Sequence, residues 1–111
     1  MGNCCLPTYA GIHRTKLLHC FPNFIPGFLQ YGDTPDIVGL IAPRALHLNF
    51  GEMDRGSPIE EVREGIKTIA AAYRQAGAED RFSHYIEFGS SHVLSEEMWR
   101  RTRECFKRHL Q

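Results

Sequence analysis

Two side chains that could act together as an acid and a base occupy corresponding positions in the second half of the sequence. Asp54 lies four residues after Phe50, and His92 lies four residues after Phe88. An aspartate that accepts a hydrogen bond from one imidazole nitrogen fixes the tautomer, so that the other nitrogen can serve as general base toward a nucleophile. The residue types alone leave a simpler interpretation open, since loop aspartates commonly form turns and loop histidines are commonly solvated.

Each of the two residues follows a segment that the pattern predicts to be a strand. Apolar and polar side chains alternate through residues 44–50, and Gly51 ends the run. Residues 81–88 alternate in the same way, which predicts a second strand. The carboxyl ends of adjacent parallel strands meet at one edge of a sheet, so the loops that carry Asp54 and His92 should lie side by side.

A long amphipathic helix is predicted between the two strands. Ser57 can cap it, Pro58 suits the first helical position, and Glu60 completes a capping box. Gly77 is a plausible C-terminal stop. The apolar face is formed by Ile59, Val62, Ile66, Ile69, Ala70 and Tyr73. Two strands joined by such a helix imply a parallel strand-helix-strand unit.

A final helix is predicted after His92. Ser95 is its expected N-cap, and Trp99 is its expected core anchor. The remaining members of its predicted buried stripe are Thr102, Phe106 and Leu110. The regular region, residues 44–111, therefore reads strand, helix, strand, helix. Because two strands make a poor independent sheet, this order predicts part of a larger fold, with self-association possible through an uncovered sheet edge.

The first region, residues 1–43, is rich in proline and glycine and predicts loops with short helices. Residues 15–19 and 24–31 are the expected helical segments. Asp36 is the expected N-cap of a further short helix that stops at Pro43.

Composition excludes several classes of function. Thirteen basic residues balance thirteen acidic ones, so no net charge attracts nucleic acid. The chain contains no apolar run near the ~20 residues of a membrane helix and no signal peptide, which slightly favours the cytoplasm. The four cysteines are expected to be reduced thiols. A zinc site is conceivable, but its spacing lacks the usual C-x₂₋₄-C pairs, so no metal and no cofactor are expected. Its ligands would be Cys4, Cys5, His19 and Cys20.

From about His19 to Gln111 the sequence resembles the C-terminal region of α/β-hydrolases of the dienelactone-hydrolase and acetyl-xylan-esterase-like group. The resemblance includes Gly51-Glu52-Met53-Asp54 and His92. It also runs through residues 31–36, 40–44, 58–63 and 76–82. The resemblance implies an α/β fold in which this chain supplies the last parallel strands of a partial sheet, with flanking helices. Asp54 resembles the triad acid after the seventh strand, and His92 the base after the eighth.

The same resemblance implies a serine hydrolase of small-molecule carboxylic esters, with the nucleophile upstream of this chain. No G-x-S-x-G occurs in the sequence, and residues 1–3 would fall near the end of the sixth strand. Ser90-Ser91 stands where the family often has Gly-Gly, which could alter the backbone of that loop. Two alternatives stay open: a non-catalytic interaction or scaffold domain derived from the same fold, and an independent small module that binds a ligand between the two loops.

Overall fold

In the described part of the chain, three parallel strands form the sheet, in the order β1-β2-β3. β1 is Gly2–Asn3, β2 is Leu46–Gly51 and β3 is Phe82–Glu87. β3 pairs with β2 along its whole length, whereas β1 pairs with β2 only at Leu48 and Asn49. The structure, a computed structural model, describes residues 2–3, 8–16, 19 and 24–110.

Four helices accompany the strands in the described part of the chain. They are α1 (Tyr9–Thr15), α2 (Thr34–Gly39), α3 (Ile59–Gln75) and α4 (Glu96–His109). Single 3₁₀ turns lie at Phe28–Gln30 and Glu79–Arg81. The predicted order of strand, helix, strand and helix after residue 44 is therefore observed, in a mixed α/β arrangement. None of the described helices combines the length and the apolar character needed to cross a membrane.

The main core lies between α3 and one face of the sheet. Leu46, Leu48 and Phe50 alternate along β2 and are all buried. They pack with the inner face of α3, which consists of Val62, Ile66, Ile69 and Tyr73. Each such side chain stabilises the fold by about 1.5–3 kcal/mol when fully buried. The predicted period-2 and period-3.6 patterns therefore identify the two surfaces that meet.

The opposite face of β2 is polar yet equally buried, because α4 covers it. His47 Nδ1 lies 2.8 Å from Ser83 Oγ, and His47 Nε2 lies 3.1 Å from Asn49 Oδ1. The Asn49 amide donates to Thr102 Oγ1 on α4 at 3.0 Å, and this hydroxyl donates to the Met98 carbonyl at 2.9 Å. The chain of bonds satisfies buried polar groups that would otherwise be costly, and it ties α4 to both β2 and β3.

Two predictions in the first region are wrong. The helix expected at 15–19 lies earlier, at Tyr9–Thr15, because the Thr8 hydroxyl caps its start by accepting from the Gly11 amide. Lys16, with φ 55°, closes it. Residues 17 and 18 lie outside the described part. Of the segment 24–31, only Phe28–Gln30 is helical, as one 3₁₀ turn.

The cap of α2 also differs from the prediction. Asp33 is the N-cap, and Asp36 is the third helical residue of a capping box. Pro35 therefore sits inside the first turn, where its missing N–H costs nothing. Asp36 was therefore placed correctly at the helix start, but the N-cap is Asp33, three residues earlier.

Two details of the later helices are corrected as well. α3 begins at Ile59 with Pro58 in the N-cap position, one residue after the predicted N-cap Ser57. In α4, Trp99 is 41% exposed, and Met98 is fully buried in its place. Thr102 is buried as predicted, Leu110 is exposed, and the stripe turns toward the polar sheet face rather than an apolar core. Ser95 caps α4 and Gly77 ends α3, as predicted.

Candidate active site

Asp54 lies in the tight loop between β2 and α3, with its side chain only 1% exposed. Its backbone amide donates to the Gly51 carbonyl at 3.2 Å, which folds the chain back at the end of the strand. Its Oδ1 accepts the Gly56 amide at 2.8 Å, an aspartate turn that fixes the carboxylate. One oxygen is thus held by the loop, and the other, Oδ2, remains for a partner.

That partner is His92, in the loop between β3 and α4. Its Nδ1 lies 2.9 Å from Asp54 Oδ2. An ionised carboxylate only accepts hydrogen bonds, so Nδ1 carries the proton and Nε2 of a neutral ring is left with a lone pair. The His92 side chain is 69% exposed, which makes the ring accessible to a reacting group. The structure therefore brings the two predicted site residues together. The buried Asp54 carboxylate contacts Nδ1 of His92, and the His92 ring is accessible to solvent.

The two loops are bonded directly to each other. The Met53 amide donates to the Ser90 carbonyl at 2.8 Å, and the Glu52 amide donates to the Glu87 carbonyl at 3.0 Å. The Gly89 amide donates to the Glu52 carboxylate at 3.2 Å. These contacts extend the pairing of β2 and β3 beyond the strands and hold the loops of Asp54 and His92 to each other.

A side-chain hydrogen bond also connects the residues on either side of the His92 loop. The Ser95 hydroxyl donates to Glu87 Oε1 at 2.7 Å and accepts the Met98 amide at 3.1 Å. Glu87 ends β3 and Ser95 caps α4, so this bond joins the two ends of the loop. Both flanks of His92 are therefore anchored in regular structure.

No serine or cysteine side chain is hydrogen-bonded to His92 within the part of the chain that the structure describes. Ser90 and Ser91 contact their surroundings through backbone carbonyls, which accept the amides of Met53 and Val93. The arrangement can orient an imidazole toward a reacting group, and no side-chain nucleophile is bonded to that imidazole within the described residues.

Other histidines differ from His92 in their surroundings. His47 is buried, and this burial lowers its pKa, with Arg101 and His84 adding to the effect and the Asn49 bond opposing it. Desolvation likewise lowers the pKa of His84. Both lie on strands of the sheet rather than in the loops that carry Asp54 and His92.

The described residues contain no second candidate centre built on a cysteine or a metal-binding group. Cys105 is a free, half-buried thiol, and Cys4, Cys5 and Cys20 lie outside the described residues. In the described ranges no group of three or more histidine, cysteine or acidic side chains could hold a metal ion. His13 lies on α1 beside a cavity of about 730 Å³ whose lining includes neither Asp54 nor His92.

Three supporting residues escaped the sequence analysis: Gly56, Gly51 and Glu87. The signal for Gly56 was present, since Asp-x-Gly after a strand is typical of an aspartate turn. Gly51 was interpreted only as a strand stop, although glycine in a strand often marks close approach of another backbone. The bond between Glu87 and Ser95 carries no signal in the spacing, because it depends on where the loop returns.

Comparison with family models, curated proteins and solved structures found no match to the chain.

Proposed function

We propose that this chain is the C-terminal part of an α/β-hydrolase that cleaves carboxylic esters as a serine hydrolase. Asp54 is the triad acid and His92 the base, and the nucleophile lies outside this chain. One observation carries the proposal: a buried carboxylate at the end of one parallel strand holds Nδ1 of an exposed histidine at the end of the next.

The order of the elements supports this proposal. The acid precedes the base by 38 positions, and α3 and β3 lie between them. β1 runs parallel to β2 on the side away from β3, which is the place that the resemblance gives to the sixth strand. The acid and the base then come from the two strands that follow, in the chain order nucleophile, acid, histidine.

The proposed chemistry is acyl transfer. His92 Nε2 takes the proton of a serine hydroxyl as that oxygen attacks the ester carbonyl carbon, and then delivers the proton to the departing alcohol. Water then attacks the acyl-serine with the same assistance, releasing the acid and the free serine. Asp54 stays ionised throughout and stabilises the imidazolium. Base catalysis of this kind contributes roughly 10²–10⁴-fold.

A non-catalytic interaction or scaffold domain of the same fold is the second candidate. It is favoured by the absence, in the described residues, of a side-chain nucleophile bonded to His92. The coding region upstream of Met1 discriminates between the two, because an in-frame G-x-S-x-G there favours the enzyme.

Hydrolysis of p-nitrophenyl acetate by the purified chain tests where the nucleophile lies. Exposed imidazoles react slowly with activated esters, so the proper comparison is between the native chain, His92→Ala and His13→Ala, which removes an exposed histidine from α1. We expect the three rates to agree, since none of the described residues places a nucleophile against His92.

Turnover that His92→Ala abolishes and His13→Ala preserves would contradict the proposal. A nucleophile would then lie within these 111 residues or be supplied by a second copy of the chain. The assignment of the serine to another segment would be wrong, although Asp54 and His92 could keep their roles.

A further inference from the structure

Gly51, the last residue of β2, is buried directly beneath the His92 loop. A Cβ built on it would meet the Ser91 carbonyl oxygen, the Ser90 carbonyl oxygen at 2.5 Å and the Ser90 carbonyl carbon at 2.8 Å. These neighbours are backbone atoms, which cannot swing aside as the end of a long side chain can. Any larger residue at position 51 must therefore displace the loop.

The glycine is needed here for space and not for backbone conformation. Positive φ angles occur at Gly27, Gly32, Gly77 and Gly89, and Gly51 is not among them. Gly89 shows the opposite case, because its φ is +67° while nothing lies within 4 Å of an added Cβ. Gly51 is required because there is no space for a side chain, whereas Gly89 is favoured because of its positive φ angle.

The loop that rests on Gly51 leads directly to His92. Ser90 accepts the Met53 amide at 2.8 Å, and Met53 precedes Asp54. The close approach over Gly51 therefore sets the distance between the acid loop and the base loop. A small shift matters, because a catalytic constellation has to be held within about 0.5 Å of its working geometry.

We infer that Gly51 is a positioning residue for the Asp54–His92 pair: its missing side chain seats the Ser90–Ser91 backbone and so holds His92 Nδ1 on the Asp54 carboxylate. The catalytic meaning of this seat rests on the proposed function. The seat itself, meaning the close contact of the Ser90–Ser91 backbone with Gly51, can be tested without measuring any catalytic activity.

The test compares Gly51→Ala with Gly89→Ala in the same chain by amide hydrogen exchange and nitrogen NMR. Gly51→Ala should lower the protection of the Met53 amide by about ten- to hundredfold, the range that core overpacking produces. It should also remove the fixed Nδ1–H signal of His92. Gly89→Ala strains the backbone but leaves the seat free, so both signals should persist.

Retention of Met53 protection and of the His92 signal in Gly51→Ala would overturn the inference. Loss of both signals in Gly89→Ala as well would also overturn it, since the contact over Gly51 would then not be what distinguishes the two positions. If Gly51→Ala does not fold, the inference is tested by hydrogen exchange on the native chain. Its Met53 amide must exchange far more slowly than a solvent-exposed amide, and free exchange refutes the seat.

The outcome separates the two proposals. Loss of the signals in Gly51→Ala together with His92-dependent ester turnover by the native chain would leave the seat intact and refute only the placement of the nucleophile. Retained signals with no turnover would refute the seat and leave the proposed function standing.

Discussion

The Asp54 carboxylate is almost fully buried, whereas the His92 ring to which it bonds is mostly exposed. Burying a charge is costly unless hydrogen bonds replace the lost water. Here the Gly56 amide and the His92 ring supply one bond to each carboxylate oxygen. A buried acid that presents a solvent-accessible imidazole serves no obvious packing purpose. At the scale of residues this asymmetry is the strongest support for an acid–base role.

The buried His47 has a separate, structural consequence for stability. Burial lowers its pKa, so the folded chain favours the neutral ring. Above about pH 6.5 the ring is neutral in both states and no stability is lost. As the pH falls through that value, the unfolded chain takes up the proton more readily than the folded chain, and the free energy of unfolding declines.

We therefore expect urea denaturation to show falling stability from about pH 7.5 to about pH 5.5, with His47 as one source. Each tenfold difference in proton affinity between the folded and unfolded states corresponds to about 1.4 kcal/mol. A His47→Gln variant should have a flatter pH profile, whereas His13→Gln, at an exposed histidine, should keep the native profile. Equal slopes in all three proteins would remove His47 as a cause.

At the scale of elements, β3 is an edge strand of the sheet. It pairs with β2 on one side, and no other described strand lies against it. Unpaired strand edges can pair with other chains unless charge or proline blocks them. His84 is the exposed side chain near the middle of this strand, and a neutral histidine there is a weak barrier. The edge of β3 is therefore where we expect a second copy of the chain to pair.

We predict concentration-dependent self-association of the chain in sedimentation velocity. His84→Lys should reduce it, because lysine on an edge strand opposes pairing. Gln75→Lys adds the same charge at the exposed end of α3 and should leave association unchanged. A chain that stays monomeric at every concentration and unfolds cooperatively would contradict this prediction.

Prediction from sequence worked best for the elements with strict periodicity. The alternation in β2 and the apolar face of α3 predicted both the elements and their contact. The stripe of α4 failed at Trp99 because this helix packs on His47 and Asn49, and a polar sheet face leaves no apolar stripe to detect. The N-cap of α2 is Asp33 rather than Asp36, and that of α3 is Pro58 rather than Ser57, because helix boundaries are the part of a helix that the sequence pattern specifies least.

At the scale of the whole molecule, the topology turns local signals into a site. Asp54 and His92 could be paired in advance because parallel strands place their following loops at one edge. The close passage of the Ser90–Ser91 backbone over Gly51 could not be predicted from the sequence, since it depends on the path of the loop in space. The sequence thus predicts which residues meet, and the structure adds what holds them at 2.9 Å.

The central claim is that Asp54 dictates the tautomer of His92, and nitrogen NMR of the neutral ring in Asp54→Asn tests it most directly. The Gly56 amide keeps an oxygen at the Oδ1 position, so the asparagine NH₂ must face His92 and Nδ1 must give up its proton. The account predicts Nδ1–H in the native chain and in Asp80→Asn, an exposed control, but Nε2–H in Asp54→Asn. The same tautomer in all three proteins would contradict it.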